Sequence, residues 1–272
     1  MEDLVELLSY PFFRNALWGI VMISLASALI GTYIVSRRMV FISGGITHAC
    51  FGGLGFGYWL GVSPMAMAAL FAMAGSLGVD WLSSRRVRRD SAIAVIWALG
   101  MAIGVLFVSL STGNVPELNT FLFGNVLTIT PSDLLIFCGF TLIVLVWYAL
   151  LFPYIEAISF DQDFARTRRL PVTAVNIVMT VLVSVGIVLS IRLIGIMLLM
   201  SVMSLPQMTA ELFARRFSRL MILSGAISLA GCLGGLLVSV WISVPASAAI
   251  VLMMILIYGV SVVSKALFYH KK

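Results

Sequence analysis

Charge is what this sequence has least of. Only 10% of its 272 residues are Asp, Glu, Lys or Arg, while 61% are apolar; a soluble globular domain carries roughly 25% charged residues. That shortage excludes a water-facing surface over most of the chain and defines an integral membrane protein. Histidine is rarer still, with His48 and His270 alone. The three cysteines, Cys50, Cys138 and Cys232, sit singly in apolar runs without the paired spacing of a zinc or iron–sulfur site, so they read as small packing residues. No carboxylate pair lies deep in an apolar run, which speaks against a proton-driven carrier.

Catalytic signatures are missing too. There is no GxxxxGK[ST] phosphate loop, no HExxH and no GxSxG. The chain therefore reads as no enzyme and as binding no cofactor of its own; energy from ATP and Mg would have to come from a partner. The start, MEDLVELLSYPFF, is acidic and has no basic leader, unlike a cleaved secretory signal.

What is present is a succession of apolar runs, each long enough as a helix to cross a hydrocarbon layer of roughly 30 Å. Hydropathy and breakers place them near 14–36, 40–60, 64–83, 91–111, 132–152, 172–190, 193–210, 220–241 and 246–267. The expected fold is an all-α bundle of eight or nine transmembrane helices forming one domain over 1–272. The stretch from Ile187 to Ala210 separates the two counts, because Arg192 and Gly195 interrupt it and Pro206 breaks its far end.

The net charge of +6 does not mark a nucleic-acid binder, since the basic residues fall in short clusters between spans. With nine spans, Arg37, Arg38, Arg85, Arg86, Arg88, Arg89, Arg166, Arg168, Arg169, Arg215, Arg216, Arg219, Lys265, Lys271 and Lys272 share one side, leaving Arg14 and Arg192 on the other. By the positive-inside rule the N-terminus is outside and the C-terminus cytoplasmic. His270 then belongs to a solvated tail. The external stretch 111–133 carries an apolar centre, Phe121 to Phe123, fit for a short interfacial helix.

Small residues line several spans. Gly45, Ala49 and Gly53 share one face of the second span; Gly44, His48 and Gly52 form the adjacent stripe. In lipid, such stripes let helix backbones meet. Gly231, Gly234 and Gly235, and Ala98, Ala102 and Gly104, read the same way. His48 lies about 12 Å into its span at 1.5 Å per residue, and burying an imidazole there requires a partner or a polar cavity. It is either a satisfied structural histidine or a contact for a passing metal ion, with Ser43 and Thr47 as weaker polar neighbours.

The longest internal interruption is FPYIEAISFDQDFARTRRLP, residues 152–171. Asp161 or Ser159 could cap a short helix through Phe164 and Ala165, with Arg166, Arg168 and Arg169 near its C-terminal end. Such a basic element suits either a protein partner or anionic lipid.

Together these strings resemble the membrane subunit of the zinc, manganese and iron family of metal-uptake ABC transporters. GGITHA (44–49) is similar to the family's GDALSHA, with His48 on the motif histidine. FDQDFA (160–165) is similar to FDPEFA, FLFGNVLTI (121–129) to the external FGNIL segment, and IGIMLLMSVMSLPQMTA (194–210) to VGxLLVxALLxxPAATA. The resemblance runs almost end to end. It implies a homodimer lining one path in the bacterial plasma membrane and two cytoplasmic ATPases docked on coupling loops at about 153–171, through Phe160, Asp161, Phe164 and Ala165. It also implies an extracytoplasmic metal-binding protein that delivers the ion.

Three departures stand out. Gly44 replaces the aspartate four residues before the motif histidine. Ser243 and Ser247, in SVPAS, replace the acid and glycine of DxPxG. Gln207 and Met208 replace two alanines after Pro206. The expected pathway positions are thus His48, Ser43, Thr47, Gln207, Met208 and Ser243, with His48 alone as a metal ligand for Mn, Zn or Fe. Without those acids, a permease for a chelated metal such as a siderophore or cobalamin is the alternative, and a non-transporting scaffold is the alternative of another class.

Overall fold

The computed structural model describes residues 9–111, 124 and 126–269. Every regular element among them is helical: α1 (Pro11–Ser36), α2 (Val40–Leu60), α3 (Pro64–Ser84), α4 (Arg89–Leu110), a 3-10 turn (Val126–Thr128), α5 (Pro131–Phe160), α6 (Gln162–Thr167), α7 (Val172–Val202), α8 (Leu205–Glu211), α9 (Phe217–Ile242) and α10 (Ala246–Tyr269). The interfacial helix expected around Phe121 to Phe123 lies outside the described residues, as does His270. Seven of the expected spans fall on α1 to α5, α9 and α10.

Helix starts follow local chemistry. Proline opens α1, α3 and α5, where its missing N–H costs nothing. Thr130 and Asp133 cap α5 reciprocally: the Asp133 carboxylate accepts from Thr130 N and from its hydroxyl (2.6 Å), while Asp133 N donates to Thr130 Oγ1.

Two expectations need correction. The fifth span, expected over 132–152 with a loop from 152, continues as α5 to Phe160 and is only kinked, with Pro153 inside the helix and Leu151 outside helical geometry. A proline removes one hydrogen bond and crowds the preceding turn, which bends a helix when packing holds both halves. The loop at 152–171 thus shrinks to the flanks of α6. Likewise, Arg192 does not interrupt the helix; its Nε pairs with Asp133 at 2.6 Å. The break falls at Gly195, whose φ of 76° and ψ of 170° are non-helical and open to glycine alone at low cost.

Eight helices among the described residues are long and apolar enough to cross a membrane, not nine, because 172–211 is a single apolar run of 40 residues. As a straight rod it would measure about 60 Å, twice the hydrocarbon thickness. The break at Gly195 resolves that excess.

The chain falls into two compact units, 1–37 with 120–152 and 192–272, and 38–119 with 153–191. In the first, Asn15 donates to Ile129 O (3.1 Å) at the start of α1, close in sequence to the Asp133–Arg192 pair. Towards the other end of α1, Ser27 donates to Val202 O (2.7 Å), and Thr32 shares a hydrogen bond with Ser224 of α9. Between Arg192 and Gln207 the chain therefore runs along α1 from near its start towards its end. In the second unit, Ser184 of α7 meets Ser76 of α3 (2.6 Å) and Thr180 donates to Asp80 (2.9 Å), so residues 172–191 run antiparallel to α3. Asp80 also pairs with Arg89 at 2.5 Å.

The basic turns share a geometry. Arg37, Arg85 and Arg168 each lay a guanidinium over the aromatic ring four residues earlier, Tyr33, Trp81 and Phe164, at 5.7, 5.5 and 5.3 Å. The following arginine in each case, Arg38, Arg86 and Arg169, adopts a positive φ of 53°, 66° and 56°.

Candidate functional site

His48 lies in the middle of α2, half-buried, where α4 approaches closely. Glycines make that approach possible. A Cβ on Gly100 would lie 2.5 Å from the His48 carbonyl oxygen and 2.6 Å from Ala49 Cα; one on Gly52 would lie 2.8 Å from Gly100 O. The seam continues at Gly55 and Gly104, so the small-residue stripe on α2 brings two backbones together beside the imidazole.

Two α4 side chains one helical turn apart then receive the ring. Trp97 stacks on it, centroids 4.3 Å apart and planes 14° apart, and Met101 Sδ sits 3.1 Å from His48 Nδ1. Trp97 is 36% exposed, so one side of the cluster is open on the single chain. Sequence reasoning picked out His48 but neither Trp97 nor Met101. Both look like ordinary apolar residues of a span, and their partner is about fifty positions away.

Ser43 and Thr47 do not join this cluster. Both are buried, and their hydroxyls donate to carbonyls of their own helix, Ser43 to Val40 O (2.8 Å) and Thr47 to Ser43 O (2.5 Å). Such back-bonding satisfies a hydroxyl inside a span without a ligand. Among the described residues no group of three or more His, Cys, Asp or Glu side chains is placed to hold a metal ion.

The remaining pathway candidates belong to the first unit. Gln207, wholly buried at the start of α8, donates through Nε2 to Ser27 O (2.8 Å) and Ser27 Oγ (2.9 Å), and its Oε1 has no partner among the described residues. Ser27 thereby ties the end of α7 and the start of α8 to α1. Gly31 leaves the space for this: a Cβ there would lie 2.7 Å from Gln207 Cδ. Met208 is half-buried. Ser243 is the exposed C-cap of α9, with a left-handed φ of 58°. Ser247 is buried near the start of α10.

In the segment after α5, Asp161 caps α6: its Oδ1 accepts from the backbone N–H of Asp163 and of Phe164, both at 3.0 Å. Ser159 is not the cap, because its hydroxyl donates back to Ile155 O (2.6 Å). Phe160 and Phe164 are 61% and 52% exposed, whereas Ala165 is fully buried and faces the interior.

Eight long apolar helices among the described residues, with a short capped helix following a kinked span, define a polytopic helical membrane protein. The family model described as the ABC 3 transport family matches residues 9–265, and the chain belongs to that family. It is 33% identical to an uncharacterized membrane protein, slr2045, of Synechocystis sp., over 96% of this chain and 93% of that one. It is 28% identical to the manganese transport system membrane protein MntC of Halalkalibacterium halodurans, covering 91% and 85% respectively. Its fold matches PsaBC from Streptococcus pneumoniae, solved in complex with Fab, at a TM-score of 0.84 and 23% identity over 96% of this chain and 94% of that chain.

Proposed function

We propose that this chain is the membrane subunit of an ATP-driven importer of a divalent transition metal, manganese, zinc or ferrous iron. The observation that carries the reading is the half-open imidazole of His48, held in mid-span by Trp97 and Met101. An ionisable ring is expensive in a membrane interior and is retained where it touches a substrate or its path. The family membership and the manganese-transport name of a relative support the same reading.

In this reading two copies line one path, and the open side of the His48 cluster faces it. An ATPase docks on each α6, where Asp161 fixes the helix start and Phe160 and Phe164 offer apolar contact. An extracytoplasmic protein delivers the ion. The break at Gly195 lets 172–191 and 192–211 cross separately, giving nine crossings, an external N-terminus and a cytoplasmic C-terminus. All the arginine-bearing turns then lie inside.

The test is transport by the reconstituted complex. Vesicles holding the permease, its ATPase and its binding protein should accumulate Mn²⁺, Zn²⁺ or Fe²⁺ only with ATP, and His48→Ala should reduce uptake without loss of assembly. No uptake of any of the three by a properly assembled complex sinks the reading. Uptake of a chelate in preference to free ion would favour the chelate permease, for which the missing acids at Gly44 and Ser243 are the supporting observation.

A further inference from the structure

The contact between His48 and Met101 has an electrostatic consequence. With its proton on Nε2, the ring points the Nδ1 lone pair at the Met101 sulfur, another lone-pair donor, 3.1 Å away. Two donors at that distance repel. A proton on Nδ1 relieves that repulsion by a weak N–H···S bond; with the proton on Nε2 instead, the two atoms are spaced so that both can touch one cation lying to one side of the line that joins them. Thioether sulfur is a soft ligand and imidazole a borderline one, whereas Mn²⁺ prefers carboxylate, carbonyl and water oxygens. The position that would supply a carboxylate on this face, one turn before His48, is Gly44.

We infer that Met101 is a second metal-contacting residue, and that the His48 Nδ1–Met101 Sδ pair makes this point of the path prefer softer divalent cations, Zn²⁺ above all, over Mn²⁺. The inference rests on the transport reading above and deepens it. Trp97 is the positioning residue: its stack fixes the plane in which the ring meets the sulfur. Two protein donors make a weak site, and since no larger cluster of His, Cys, Asp or Glu surrounds it among the described residues, the other positions around the ion fall to water or to the second copy. Weak, incomplete coordination suits a transit point, from which an ion must also leave.

The experiment uses the permease–ATPase complex in lipid nanodiscs without the delivery protein, so that the delivery protein's own selectivity does not enter. Zn²⁺ and Mn²⁺ binding are measured at equilibrium, and the zinc-loaded complex is read by X-ray absorption. The expected result is a sulfur scatterer among the atoms bound directly to zinc. Met101→Leu keeps the volume; it should remove that scatterer and weaken Zn²⁺ binding about tenfold or more, a change on the scale expected when a supporting group is lost, with Mn²⁺ binding little altered. Met101→Glu, which exchanges sulfur for oxygen at similar reach, should shift preference towards Mn²⁺.

A zinc spectrum without sulfur in the wild type, or an unchanged Zn²⁺ to Mn²⁺ preference in either assembled variant, overturns the inference. Equal loss of both metals in Met101→Leu does so too, because it marks a structural role. If the wild-type complex, placed in vesicles with its delivery protein, transports metal with ATP and still gives any of these results in nanodiscs, the selectivity inference alone fails. If it transports none, the proposed function fails with it.

Discussion

Gln207 and Gly31 form a matched pair across α1 and α8. The amide fills the space that glycine leaves, and its Nε2 holds Ser27, whose hydroxyl in turn holds the end of α7 at Val202 O. Gly31→Ala forces a methyl against the Gln207 side chain and near Met203 O, so it should lower the melting temperature of the detergent-solubilised protein. The double variant Gly31→Ala with Gln207→Ala should recover part of that loss, the non-additivity of neighbours that a double-mutant cycle measures. Equal effects with and without Gln207 would show that Met203 O, not the amide, sets the limit. Gly100→Ala has no such remedy. Its methyl would meet backbone atoms of His48 and Ala49, which cannot rotate away, so α2 and α4 must separate and both stability and metal uptake should fall.

At the scale of the element, α6 depends on one cap. Asp161→Ala removes the acceptor for two backbone N–H groups and should cost about 1 kcal/mol of local helix stability, seen as weaker co-purification of the ATPase at unchanged permease level; Asp161→Asn should retain it. The three basic turns make a second prediction. Arg86 sits at a φ of 66°, where a β-branched residue is a strong outlier and glycine is at ease. Arg86→Val should destabilise by about 1 kcal/mol or more, and Arg86→Gly should not, as thermal denaturation of the two variants will show.

The elements also separate what composition reveals from what it hides. Seven spans were legible because twenty apolar residues in a row have few other homes. Arg192 and the segment after 152 misled for one reason: a charge or a proline ends a span by local rules, but Asp133 neutralises the first from about sixty residues away and packing carries α5 past Pro153. His48 was legible as an anomaly. Met101 and Trp97 were not, since nothing local distinguishes a methionine beside an imidazole from one beside leucines.

At the scale of the whole molecule, the sequence gives its strongest constraint through the sidedness of its arginines and the length of the run 172–211. With nine crossings, single cysteines placed at Arg86, Arg169 and Arg216 should react with an impermeant thiol reagent only from the cytoplasmic side, and cysteines at Ser63 and Ser243 only from outside. Cys50 and Cys232 are buried, so Cys138→Ser gives a suitable background. With eight crossings, Ser243 would instead label from the same side as Arg86. The stack of Trp97 on His48 has a use beyond holding the ring. An indole in van der Waals contact with an imidazole emits differently when that imidazole gains a positive charge or ligates an ion. The chain has six tryptophans, so comparison with a Trp97→Phe variant isolates this one. The fold has therefore built an optical reporter into the place where its cargo is expected to pass, and occupancy can be followed by light through a full transport cycle without attaching a label.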